Sequence, residues 1–243
     1  MSARRIGLIL IGDELLNGRK QDAHLPAMIP RFAQRGLEIG WVRLIGDDPA
    51  LITATLTDSL ASGDIVFCFG GIGATPDDLT RQCAAAALGV EIELHPEAEY
   101  EIRAQLAERL NANHLRMGEF PAGSRIIPNP INRIPGFSIR DHHFVPGFPR
   151  MAWPMVEWVL DHAYADLQAP GQQVSQTLVL ADTSEGPLIP LMEQLLREFG
   201  ELRLACLPHA EGRQEVELTL RGPPQQVAAG MDRLRELLID YRR

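Results

Sequence analysis

The chain has 243 residues, 45% of them hydrophobic and 23% charged, with a net charge of −9; this is enough apolar mass for one large domain or two smaller ones. No window approaches ~18 uninterrupted apolar residues, so no transmembrane helix is expected, and an acidic chain with no basic run longer than two residues is a poor partner for a nucleic-acid backbone. The start lacks a signal-like apolar stretch, and Cys68, Cys83 and Cys206 form no C-x-x-C, which excludes a zinc ribbon and points to a reducing, cytoplasmic setting.

Residues 5–11 form a nearly continuous apolar run, the mark of a strand buried on both faces of a parallel sheet. A polar loop, 12–22, leads into a helix over 24–36 with apolar positions at Leu25, Met28, Ile29, Phe32 and Ala33. A second strand is predicted over 37–45, a helix over 49–61 and a third buried strand over 64–69. The run Gly70-Gly71-Ile72-Gly73 ends that strand, and a helix is predicted from Thr75 to Leu88. This β-α-β-α-β-α order predicts a doubly wound, mostly parallel sheet with helices on both faces. A helix over 96–113, extended segments and turns over 118–148, and a helix over 151–165 follow. The pair His142-His143 falls in a turn and is expected to be exposed. Residues 168–173 read as a linker, dividing the chain into domains at 1–168 and 174–243. The second has the order β-α-β-β-α, a small α+β domain with a closing helix over 223–241.

Three loops follow the carboxyl ends of predicted parallel strands, where open α/β sheets bind ligands. The first holds Gly12, Glu14, Lys20 and Asp22; the second holds Asp47; the third holds Gly70, Gly71, Gly73, Thr75, Asp77 and Asp78. The glycines permit close backbone approach to a ligand, and a helix starting at Thr75 would offer its free N–H groups to a phosphate. It is neither a Walker A loop nor G-x-G-x-x-G, since Pro76 stands where the last glycine would be. Carboxylates beside a phosphate are reconciled by a bridging cation such as Mg²⁺, for which Glu14, Asp22 and Asp78 are the candidate ligands. First-turn acids also have a purely structural use against the helix dipole. Lys20 is the sole lysine among 23 basic residues. His24 reads as a surface or capping residue, and no spacing supports a Ser-His-Asp or Cys-His arrangement.

These residues carry a resemblance. Gly12-Asp13-Glu14-Leu15-Leu16 through Asp22 resembles the G-x-E-[LI]-L…D opening of the molybdopterin-binding/CinA-type domain family, and residues 70–80 resemble its G-G-x-G-x-T-x-D-D-x-T signature. Pro128-Asn129-Pro130 with Pro135-Gly136-Phe137 is similar to its N-P…P-G-F segment, and Pro146-Gly147-Phe148-Pro149-Arg150 to its P-G-x-P-R turn. The motifs fall in the family's order over residues 6 to about 165. The chain departs from the pattern at Ala23-His24 for T-N, Ala74 for Pro, Asn132 and Ile134 for Gly and Ala, and Met151 for Glu.

The resemblance implies a three-layer α/β sandwich, with Asp77 and Asp78 as catalytic candidates and Pro146, Gly147 and Arg150 added to the ligand-binding set. It is closest to the N-terminal region of competence/damage-inducible protein CinA, and the family's C-terminal deamidase domain is not expected in this chain. Two functions are implied. One is a divalent-metal-dependent pyrophosphatase acting on ADP-ribose or FAD; the other is a protein that binds molybdopterin or a nucleotide without turnover. The expected partner is a phosphorylated small molecule, with no membrane and no nucleic acid. The second domain's element order invites comparison with KH-type RNA-binding modules, but residues 170–243 hold 8 Arg against 11 Asp and Glu and no G-x-x-G. Self-association, as a dimer, is expected instead.

Overall fold

The computed structural model describes residues 4–169, 171–209 and 215–241. The chain divides into two compact units, Met1–Gln168 and Ala169–Arg243. In the first unit the elements run β1 (Ile6–Ile11), α1 (Asp13–Leu16), α2 (His24–Gln34), β2 (Ile39–Ile45), α3 (Pro49–Ser62), β3 (Ile65–Phe69), α4 (Thr80–Leu88), β4 (Ile92–Leu94), α5 (Pro96–Leu106), α6 (Ala112–Leu115), β5 (Glu119–Pro121), β6 (Arg125–Ile127), β7 (Gly136–Ile139), β8 (His142–Val145) and α7 (Pro149–Ala163).

A six-stranded sheet of order β2-β1-β3-β8-β7-β6 forms the centre. β1 pairs in parallel with both β2 and β3, and β3 pairs in parallel with β8. β7 runs antiparallel to both β8 and β6, so the sheet is parallel on one side and a meander on the other. Successive side chains of a strand point to opposite faces, and here both faces are dry. Leu8, Leu10, Phe67 and Phe69 pack against Met28 and Phe32 of α2 and Met155, Val156 and Val159 of α7. Ile9, Ile11, Val66 and Cys68 pack in the opposite cluster with Ile52 and Leu56 of α3 and Cys83 and Ala84 of α4. That alternation makes the three-layer sandwich, and it is why β1 and β3 carry unbroken apolar sequence. The 14-residue α3 is set by Asp48, whose Oδ1 accepts from the N–H groups of Ala50 and Leu51, with Pro49 next.

Two expectations fail away from the loops at the carboxyl ends of the strands. The helix predicted over 96–113 stops at Leu106, where Ala107 takes φ 46°, and resumes only at Ala112. Asn111 begins the new helix by accepting the His114 N–H at 3.1 Å, a cap that competes with a continuous helix. The pair His142-His143 is not exposed; it lies in β8, 2% and 1% accessible. His142 Nε2 meets Ser59 Oγ at 2.8 Å. The Tyr164 hydroxyl donates to Asp141 at 2.9 Å and must therefore accept from His143 Nε2 at 2.7 Å, which leaves His143 Nδ1 to accept from Ser138 Oγ at 2.8 Å. Each imidazole is held neutral, because strand pairing drives both into the interior and the polar groups that meet them there suit the uncharged ring.

In the second unit β9 (Val174–Ala181), α8 (Glu185–Glu198), β10 (Arg203–His209), β11 (Glu215–Gly222) and α9 (Pro224–Tyr241) follow. The strands form an antiparallel sheet of order β10-β11-β9. Val227, Met231, Leu234 and Leu238 of α9 join Leu188, Leu191 and Leu195 of α8 over Val216, Leu218 and Leu220. The apolar stripe of the last helix is thus spent inside its own unit. Among the described residues no helix is long and apolar enough to cross a membrane.

The buried histidines set a pH dependence. Burial is the main cause that depresses His142 to about 4 and His143 to about 3. The unfolded chain binds these protons near pH 6.5, so stability is complete above that pH and falls as pH drops toward the folded values. Denaturant titrations at pH 7, 6 and 5 are expected to show stability falling by up to about 1.4 kcal/mol per pH unit per histidine. Over this window Asp64 and Asp141, both depressed, have not begun to protonate. Equal stability at pH 7 and 5 would contradict the neutral assignment.

Candidate functional site

The site is built where the parallel strands end. β1 runs into Gly12, β3 into Gly70 and β8 into Pro146 and Gly147, all at one edge of the sheet. The Gly70 N–H donates to the Val145 carbonyl at 3.1 Å. Gly70 has φ 102°, and a Cβ there would strike the Ile11 carbonyl oxygen; Gly71 has φ 67°, and a Cβ would strike the Thr80 hydroxyl. Only glycine allows this backbone path and this closeness.

The loop that follows differs from its prediction. α4 begins at Thr80, not Thr75, so Asp77 and Asp78 stand in an irregular loop and not in a helical first turn. The reason is a local turn: Asp78 Oδ2 accepts from the Thr75 N–H at 2.9 Å and from the Thr75 hydroxyl, while the Asp78 N–H returns to the Thr75 carbonyl at 3.0 Å. Where a helix N-terminus is expected at Thr75, the chain presents instead the glycine-bearing loop from Gly70 to Ala74. Arg81 pins this loop from beneath. Its side chain is 1% exposed, and its Nη2 donates to the Gly73 carbonyl at 2.7 Å. Nη1 reaches the Glu119 carbonyl at 3.3 Å and the Arg116 carbonyl. Burial lowers its pKa, the nearby Glu119 and Asp78 charges oppose that, and an arginine stays charged.

Above the loop lies a cleft of about 410 Å³. Gly12, Glu14, Lys20, Asp47, Gly70, Gly71, Gly73, Thr75, Asp77, Asp78 and Gly147 line it, so the three predicted loops meet. Asp47 is tied in by reciprocal bonds with Asp13: Asp13 N–H to Asp47 Oδ2 at 2.9 Å and Asp47 N–H to Asp13 Oδ1 at 3.1 Å. Burial pushes the Asp47 carboxyl up, and the charges of Asp13, Glu14 and Asp77 add to the effect. Lys20 Nζ stands 3.4 Å from Glu14 Oε1. A second compartment of about 220 Å³ shares Gly71, Gly73, Asp78, Gly147 and Phe148 with the first, includes Pro146, and is walled by Met117, Ile134, Pro135 and Met151.

Two predicted residues stand outside both compartments. Asp22 spends both oxygens on the start of α2, accepting from His24 N–H at 2.7 Å and Leu25 N–H at 3.0 Å. Arg150 is exposed in the first turn of α7 and lines neither. His24 is not a surface residue. It is 5% exposed, stacks on Phe69 at 4.4 Å, and its Nε2 meets the Gly147 carbonyl at 3.2 Å. Burial lowers its pKa, and Nδ1 has no partner. Among the described residues no three His, Cys, Asp or Glu groups are placed to hold a metal by themselves. Asp13, Arg81 and the apolar wall escaped the sequence reading. Arg81 directly follows one quoted motif and Phe148 lies inside another, but nothing in their spacing marks one as buried and the other as exposed.

The description "probable molybdopterin binding domain" matches residues 7–166. A CinA-like protein of Citrifermentans bemidjiense is 35% identical over 248 residues, covering 98% of this chain and 59% of the relative. Another from Geobacter sp. (strain M21) is 34% identical, covering 93% of this chain and 56% of the relative. The chain thus spans a little over half the length of these curated relatives. The crystal structure of CinA from Thermoplasma acidophilum, a protein of unknown function, superposes with a TM-score of 0.59 at 23% identity over 65% of this chain and 98% of that one, a likeness of fold. The sheet order, the glycine loop at its carboxyl edge and these matches agree: the chain belongs to the probable molybdopterin-binding domain family, among its CinA-like members.

Proposed function

We propose that the cleft binds a phosphorylated small molecule, a nucleotide or pterin, and that the chain hydrolyses a nucleotide pyrophosphate linkage of the ADP-ribose or FAD kind with a divalent cation. One observation carries this reading: a loop of glycine amides and the carboxylates of Glu14, Asp47, Asp77 and Asp78 line the same cleft. The donor set fits a hard cation such as Mg²⁺, which is commonly held by one or two carboxylates while substrate phosphates and water complete its shell. One or two of Glu14, Asp77 and Asp78 would hold it, without Asp22, and no three of these groups are placed to do so together. When bound, such an ion withdraws charge from the phosphorus and acidifies water.

The chain's own groups do the rest. The amides from Gly71 to Ala74 supply donors to a phosphate, the Thr75 N–H being taken by Asp78, and the buried Arg81 charge beneath them favours an anion above. Asp47, its carboxyl pushed up by burial and like charge, suits the acceptance of a proton from attacking water. Asp78 has one oxygen committed to Thr75 and the other without a hydrogen bond, so it both shapes the loop and faces the cleft. Binding of molybdopterin or a nucleotide without turnover is the second reading, and the withdrawal of Asp22 into a helix cap favours it.

The deciding experiment mixes the purified chain with ADP-ribose, FAD, NADH and molybdopterin, with Mg²⁺ or Mn²⁺, and follows binding and AMP release. Asp77→Ala is expected to lower turnover about 100-fold or more with binding largely kept. Asp78→Ala is expected to lose both turnover and affinity, because the Thr75 turn opens; unchanged turnover in both variants would remove the acids from the chemistry. Chelation is expected to abolish AMP release and added Mg²⁺ or Mn²⁺ to restore it. Full activity in excess chelator would end the cation-dependent reading.

A further inference from the structure

The chain has eight phenylalanines. Six of them, Phe32, Phe67, Phe69, Phe120, Phe137 and Phe144, are at most 1% exposed, and Phe199 packs against the core of the second unit. Phe148 is 63% exposed. It stands immediately before α7, where its carbonyl accepts from the Met151 and Ala152 N–H groups at 2.9 Å. That N-cap position favours Ser, Thr, Asp or Asn, whose side chains would bond the free N–H groups; Phe148 makes no such bond. Neither core packing nor helix capping accounts for an aromatic ring at this point.

Its location does. Phe148 lines both compartments, at the seam between the glycine–acid cleft and the apolar pocket. The pocket wall opposite the glycines is Met117, Ile134, Pro135 and Met151. Thioethers and proline rings make adaptable, flat contacts with aromatic groups. Asn132 also lines it; its Oδ1 is taken by the Ile134 N–H at 3.1 Å, and its NH₂ makes no hydrogen bond among the described residues. The volume, about 220 Å³, is below the roughly 300–1,000 Å³ of a whole ligand site, as befits a compartment for one part of a ligand whose remainder sits in the adjoining cleft.

We propose that Phe148 is a ligand-stacking, specificity-determining residue, so that the site takes a phosphate joined to a planar aromatic heterocycle in preference to a sugar phosphate or inorganic pyrophosphate. The proposal rests on reading the adjoining cleft as the phosphate seat. The ring of the ligand covers the exposed face of Phe148 while its phosphate meets the glycine loop. Stacking of a base on an aromatic side chain is tolerant of ring identity, so Phe148 selects for a ring and leaves the choice among rings to Asn132 and the pocket wall.

The test uses the whole chain, titrated with AMP and ADP-ribose, with ribose 5-phosphate and pyrophosphate as ring-free ligands, and with adenosine and riboflavin as phosphate-free rings. Phe148→Ala is expected to weaken AMP and ADP-ribose roughly tenfold or more and to leave ribose 5-phosphate and pyrophosphate within about twofold. Phe148→Tyr is expected to restore affinity. Phe148→Trp is expected to add indole emission to that of Trp41, Trp153 and Trp158, and this added component, read as the difference from the wild type, is expected to be quenched by every ring-bearing ligand and by no ring-free ligand. The side chain is exposed, so circular dichroism and melting of the variants are expected to match the parent. Equal affinity of Phe148→Ala and wild type for AMP, or an equal loss for all ligands, would overturn the proposal. If the wild type binds no phosphate-bearing ligand, the phosphate reading falls by itself; quenching of Phe148→Trp by adenosine or riboflavin beyond that of the wild type then upholds the stacking role, and its absence ends it.

Discussion

The close approach of three strand ends governs this protein. β1, β3 and β8 terminate side by side, and Gly70 stands where a Cβ would strike the Ile11 carbonyl oxygen and hold β3 away from β1. A Cβ on Gly147 would already touch the Gly70 Cα at 3.4 Å. This closeness brings loops distant in sequence onto one floor, so that the acids of the first, second and third loops line one cleft. It is paid for by strands dry on both faces, whose buried apolar surface holds the backbone in a path that glycine alone permits.

Beneath that floor the protein places polar groups that a simple apolar core would not tolerate. Arg81 is buried; its two terminal nitrogens donate to the carbonyls of Gly73, Arg116 and Glu119, while its Nε meets no acceptor among the described residues. Such a group is costly unless its donors are met, so the carbonyl of Gly73 is fixed by the same bond that stabilises the arginine. His24 joins the far side of the floor, with one ring nitrogen against Gly147 and its face on Phe69. These contacts tie the shape of the glycine loop to the interior. The proposed site is thereby preorganised by groups that do not line it.

The two compartments differ in chemistry. One offers amides and carboxylates; the other offers methionine, isoleucine and proline surface with few polar atoms. A small-molecule site commonly combines a mainly apolar wall with a few placed polar groups, and here the two kinds of wall meet at Phe148. The acidic character of the open cleft is uncompensated except by Lys20 on Glu14 and Arg81 below. An anionic ligand entering alone would meet repulsion, which is the physical ground for proposing a cation with it.

The sequence by itself determined the fold of the first unit and where its loops cluster. Unbroken apolar runs at 6–11 and 65–69 can be satisfied only by a sheet covered on both sides, and the glycines after them mark its functional edge. It also located the second unit's elements, whose alternating and helical periods are local properties. Tertiary structure alone decided what each polar side chain does. Asp22 and Asp78 read alike as acids in glycine-bearing loops, yet one caps a helix with both oxygens and the other closes a turn and lines the cleft. His142 and His143 read as turn residues and are core, because pairing with β3 and β7 draws both inside. Phe148 and Arg81 exchange the places their chemistry suggests, the aromatic outside and the cation within. Residue type fixes what a group can do, but its partners come from segments more than a hundred residues away, as Gly147 does for His24, and only the folded chain brings them together.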